Sequence, residues 1–128
     1  MEGLRNALDA TSLTDQERRV LERLVVLLRS ELADELRAVW LYGSRARGEP
    51  PATEDSDVDL IVITDGGRRR HGARVSRLVW RAAEEEGVSP VVFAVIVQDP
   101  AWVAQRRAVR SFFIQEVDRD KLALVGDR

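Results

Sequence analysis

The sequence predicts an α/β (α+β) domain, a mixed four-stranded sheet packed with helices, on three observations. Four short aliphatic runs suited to strands recur at 37–42, 57–64, 91–97 and 122–125. Stretches with helical periodicity lie before and between them, and Gly, Pro and Asp clusters mark nearly every junction.

Taken in order, Thr14-Asp15-Gln16-Glu17 forms a capping-box pattern ahead of Val20, Leu21, Leu24, Val25, Leu28, Leu32 and Leu36. That spacing predicts a long amphipathic helix from about 15 to 35. Residues 37–42 read as a strand ending at Gly43, and a short helix is expected to start at Ser44, a good N-cap. Pro50-Pro51 and their polar neighbours make a loop, and a second strand over 57–64 closes on the turn Asp65-Gly66-Gly67. A helix over 69–86 places Val75, Leu78, Val79 and Ala82 on one face and stops at Gly87. Val91–Val97 is continuously apolar and β-branched, so a buried strand is expected. Asp99-Pro100 opens a helix to about 107, Ser111–Asp118 suits another turn or two, and Leu122–Val125 suits a short edge strand.

At 128 residues the chain has the length of one domain. It has no cysteine and one histidine, His71, so a metal site would rest on oxygen ligands. The amino terminus carries charged residues, Glu2, Arg5 and Asp9, rather than an apolar signal core, and no apolar stretch approaches membrane-spanning length, so a soluble cytoplasmic protein is expected. A net charge of -2 argues against nucleic acid as the main partner.

Residues 43–60 carry the chemistry. A Gly43-Ser44 turn leads through a polar loop to Asp57-Val58-Asp59-Leu60. On a strand Asp57 and Asp59 share a face, their Cα atoms about 6.6 Å apart at about 3.3 Å per residue. Two such carboxylates repel unless a proton or a cation separates them, and a hard ion such as Mg2+ or Mn2+ meets that need. A glycine turn lets a triphosphate approach the backbone, where Ser44 and the next N–H groups face the phosphates. Arg45 and Arg47 add positive charge on the same segment. In-line displacement at a phosphoryl centre is the chemistry that such a set suits.

Leu41-Tyr42-Gly43-Ser44-Arg45-Ala46-Arg47-Gly48 together with Asp57-Val58-Asp59-Leu60 resembles the minimal nucleotidyltransferases of the DNA polymerase β-like superfamily. The resemblance implies that fold across 1–128, with Gly43 and Ser44 gripping the triphosphate of an NTP, expected to be ATP, and Asp57 and Asp59 binding Mg2+. Asp55 is followed by Ser56, where the family has an apolar residue, and belongs to the loop. The resemblance further implies an all-helical partner of the HEPN type in a toxin–antitoxin pair, in some cases with AMP transferred to the toxin. A homodimer is compatible with so small a core.

The family generally adds a third carboxylate from a later strand, whereas 91–97 contains neither Asp nor Glu. Asp65 and Asp99 are the nearest substitutes, and capping before Pro100 is the competing role for Asp99. Two readings stay open: an NMP-transferring enzyme acting on an unknown acceptor, expected to be a protein, or a binding antitoxin or scaffold that keeps the fold with weak or no catalysis. Arg70, Arg74, Arg77 and Arg81 fall at i, i+4, i+7 and i+11 of one helix, a stripe for an acidic partner, RNA or a nucleotide tail, or a solvated face. His71 is expected to be a surface or boundary residue rather than a general base, and Trp80, Trp102, Phe112 and Phe113 are candidate core residues, one of the two phenylalanines being turned outward.

Overall fold

The computed structural model describes residue 4 and residues 7–49 and 57–126, so the expected loop at Pro50-Pro51 and Asp55 lies outside the described residues. Helix α1 spans Asp15–Leu32, β1 Leu36–Tyr42, the single turn α2 Gly43–Ala46 and β2 Val58–Thr64. They are followed by α3 at Gly67–Glu85, β3 at Phe93–Gln98, α4 at Pro100–Ala108, α5 at Phe112–Asp120 and β4 at Leu122–Val125. The sheet order is β3-β2-β1-β4, with β2 and β3 parallel and β1 antiparallel to both β2 and β4. It is the mixed four-stranded sheet that the sequence predicts.

The sheet buries both faces, because side chains alternate along each strand. Val39, Leu41, Val58, Leu60 and Val62 join the apolar faces of α1 and α3 in the larger core. Ala38, Trp40, Ile61 and Ile63 pack with Val103, Ile114 and Val117 of α4 and α5 on the other side. β2 lies between β1 and β3 and its four central residues are fully enclosed, which is why Leu60-Ile61-Val62-Ile63 is apolar without alternation.

Local signals set the helix starts. Thr14 accepts a hydrogen bond from the Glu17 N–H at 3.1 Å, and Glu17 accepts from the Thr14 N–H at 2.8 Å, completing the capping box. Asp99 accepts from the Trp102 N–H at 2.8 Å, with Pro100 at the first helical position. α3 ends near Gly87, whose φ of 71° supplies the left-handed residue that closes a helix.

Several elements differ from expectation. α1 stops at Leu32, and residues 33–35 form a 3-10 turn entered through Ala33 at φ 47°. α2 begins at Gly43 rather than being capped by Ser44. Pro90–Val92 forms another 3-10 turn, so β3 begins at Phe93, and as an edge strand it is only partly buried. His71 is buried at 4% exposure, because 71, 75, 78 and 82 share one face of α3. Its Nε2 lies 3.4 Å from the Glu35 carboxylate. Trp80 stands 52% exposed and Phe112 77%, both outside the core, whereas Phe113 packs edge-on against Tyr42 at 5.6 Å. No helix among the described residues is long and apolar enough to cross a membrane.

Candidate active site

Asp57 sits just before β2, exposed, and Asp59 is the second residue of the strand, half-buried. The β1–β2 register sets Asp59 opposite Tyr42, the residue that leads into Gly43. The turn and the acidic strand therefore meet directly. Gly43 has φ 80°, and a Cβ there would lie 2.5 Å from Asp59 Oδ2. Glycine is favoured here, because any side chain would be strained by the left-handed backbone and would displace the Asp59 carboxylate.

This position alters the electrostatics. Burial first, and the Asp57 charge second, raise the Asp59 carboxyl above its ordinary pKa. A cation between the two carboxylates would relieve the repulsion and favour the ionised form. Tyr42 is pushed up to about 12 by burial and by Asp59, so its hydroxyl keeps its proton across the physiological range. Sequence reasoning missed Tyr42, since only the strand register sets it against Asp59.

Arg45 does not join the positive rim expected for phosphate. Arg45 is 3% exposed and pairs with Glu17, the capping glutamate of α1. Its carbonyl accepts from the N–H groups of Ser12 and Gly48 at 3.1 and 3.2 Å. The guanidinium thus anchors the turn to α1 instead of facing a ligand. Arg47 stays outside, but Glu49 and Asp120 each hold it at 3.1 Å. Beside it, Tyr42, Gly43, Phe113, Glu116 and Asp120 border a cavity of about 240 Å³. Ser44 is half-buried at the turn, and as α2 is a single turn, what it offers a ligand is its own hydroxyl and amide rather than a helix dipole.

The two substitutes for a third acid are engaged elsewhere. Asp99 caps α4, and Asp65, at the opposite end of β2, binds Arg37 at 2.8 and 3.2 Å. The β3 residue level with Asp59 is Ala94. Among the described residues no group of three or more His, Cys, Asp or Glu is placed to hold a metal. Two carboxylates with no nitrogen or sulfur donor fit a hard cation that completes its shell with substrate oxygens and water.

Residues 21–120 match the model of the nucleotidyltransferase domain family. The chain belongs to this family. No match was found among curated proteins. Among solved structures, two mutant forms of the toxin–antitoxin MntA-HpeT are similar. One has 15% identity and TM-score 0.51, covering 81% of this chain and 72% of the other. The second has 19% identity and TM-score 0.52, covering 84% and 73%. A toxin–antitoxin structure with AMP-PNP has 18% identity and TM-score 0.51, covering 84% and 74%. At these identities the likeness is one of fold, and the mixed sheet of this nucleotidyltransferase domain conforms to it.

Proposed function

We propose that this nucleotidyltransferase domain, a single unit over 1–128, transfers a nucleoside monophosphate from Mg-ATP to a protein acceptor in the cytoplasm. The observation that supports the reading is the abutment of Gly43 on Asp59, the glycine turn lying directly against the acidic strand. The missing Cβ at Gly43 lets the Asp59 carboxylate lie directly against the turn, and Ser44 offers a triphosphate a hydroxyl and an amide. Asp57 and Asp59 hold Mg2+ (or Mn2+), which when bound supplies Lewis-acid stabilisation of charge on the phosphoryl oxygens. Tyr42, protonated beside Asp59, is a hydrogen-bond donor at the edge of the same site. The fold likeness to toxin–antitoxin structures, one with AMP-PNP, supports ATP as donor and an antitoxin role toward an all-helical toxin of the HEPN type.

The second reading is favoured by Ala94, which stands where a neighbouring-strand carboxylate would face Asp59. With two acids the protein would bind Mg-nucleotide and neutralise its partner by contact, as monomer or homodimer, without transferring NMP. Incubation with α-labelled ATP, Mg2+ and a co-expressed HEPN-type partner separates the two. Label on the partner that disappears in Asp57→Asn supports transfer. Mg-ATP binding without label supports the scaffold, and absence of both removes the enzyme reading.

A further inference from the structure

The six arginines between 68 and 81 do not act as one stripe. Arg70 pairs with Glu35 at 3.0 Å, Arg74 donates to the Glu31 carbonyl at 3.4 Å, and Arg81 pairs with Glu85 at 3.0 Å. Arg68, Arg69 and Arg77 form no ion pair or side-chain hydrogen bond among the described residues. All three are exposed.

Arg68 borders a groove of about 410 Å³ between α3 and β3. Gly72, Ala73 and Ser76 form its α3 wall, and their small side chains leave the groove open. The opposite wall is Val95–Gln98. At one end the groove passes through Ser76 to a depression beside Trp80 and Arg77, where Glu84 and Glu85 form the far rim. At the other end Arg68 and Arg69 flank the Gly66-Gly67 turn, with Asp99 opposite.

Among the described residues β3 is an outer strand that pairs only with β2. Phe93-Ala94-Val95-Ile96-Val97-Gln98 has no proline or charge, the devices that usually blunt an exposed edge. Its free backbone groups form a template for one more strand, and unpaired guanidinium groups stand beside that template. A second copy of this chain is a poorer match: antiparallel pairing of two β3 edges would add the uncharged strand Phe93–Gln98, whose side chains offer no carboxylate to Arg68 or Arg77.

We propose that the β3 edge and the α3 groove form a docking site for an extended, acidic segment of a protein partner, which adds as a fifth strand. Backbone hydrogen bonds to β3 hold it, alternate side chains enter the groove, and its carboxylates meet Arg68 and Arg77. Trp80 offers an apolar anchor at the end of the track. The site goes beyond nucleotide transfer, and its binding requires no nucleotide, so it stands or falls separately from the enzymatic reading.

The test uses the full chain and a fluorescent peptide about ten residues long that alternates Glu and Val, followed by anisotropy. Controls are a Lys-Val peptide, the Glu-Val peptide with N-methylated backbone, and an oligouridine of matched charge. The expected result is binding of Glu-Val at least about tenfold tighter than Lys-Val or N-methylated peptide, with weakening by salt. Arg68→Glu with Arg77→Glu should weaken it by about tenfold or more. Hydrogen exchange on the unmutated protein keeps the test independent of folding defects: peptide should slow exchange of amides in Val95–Gln98. Equal binding of the N-methylated peptide, or no slowing of exchange in β3, overturns the strand-addition proposal. Oligouridine that binds more tightly than Glu-Val overturns it in favour of a nucleic-acid surface.

Discussion

At the scale of single residues, the candidate site is built against the stability of the empty protein. Asp59 is half-buried and lies within the field of Asp57, and both effects hold its proton more firmly in the folded chain than in the unfolded one. For an acid with a raised folded-state pKa, the linked stability is complete below the unfolded-state pKa and is lost as pH rises through the folded-state value. Asp59→Asn should therefore raise the melting temperature of the metal-free protein at pH 7, a gap that closes toward about pH 4. Mg2+ should stabilise the parent and leave the variant unmoved, which scanning calorimetry with and without the ion would read. A variant no more stable than the parent at pH 7 would rule out a destabilising Asp59. Gly43 presents the complementary case. Gly43→Ala meets φ 80° and the Asp59 carboxylate together, so a loss of about 1–2 kcal/mol from backbone strain alone is expected in urea unfolding.

Among the elements, α1 and the turn α2 are coupled through one glutamate. Glu17 closes the capping box of α1 and also neutralises Arg45, whose guanidinium is enclosed behind the site. Glu17→Ala removes the cap and strands a buried cation, for which a destabilisation of about 3–5 kcal/mol is expected from urea titration. Glu17→Met combined with Arg45→Leu should recover most of that loss, since breaking a buried pair costs more than replacing it with apolar groups. Failure of the double variant to recover would mean that the capping bonds, rather than the ion pair, dominate. The sequence displayed the capping box but not this second use. Thr14 and Glu17 stand three residues apart, so their signal is local, whereas Arg45 meets Glu17 across 28 positions. His71 shows the reverse fault: its helical spacing from Val75, Leu78 and Ala82 already marked the buried face, but its place in the first turn of the helix was read as surface or boundary. Phe113 inward and Phe112 outward follow from the turn of α5, as periodicity required.

For the whole molecule, the sheet decides which chemistry is available, and its strand order is what the sequence could not display. Glycine turns, caps and apolar runs located the strands and most helices to within a few residues, because those signals act over one or two turns of chain. Pairing is non-local, so neither the edge position of β3 nor the apposition of Tyr42, Asp59 and Ala94 across three strands followed from any run of residues. The acidic pair and the Gly-Ser turn were legible as a motif, while the inward turn of Arg45 and the capture of Arg47 by Glu49 and Asp120 were not. The register also supplies a decisive substitution. Ala94 is level with Asp59 on the neighbouring parallel strand, and its half-buried side chain lies on the same face of the sheet. If the slow or absent step is proton removal from the attacking hydroxyl, Ala94→Asp places a carboxylate beside the acidic pair and should raise single-turnover NMP transfer at saturating Mg-ATP by about tenfold or more. Adding Asp57→Asn to it should return transfer to background, because on the proposed reading the new acid acts with a cation that Asp57 and Asp59 would hold. If Ala94→Asp folds and binds Mg-ATP but leaves transfer unchanged, a missing carboxylate is not what limits the chemistry.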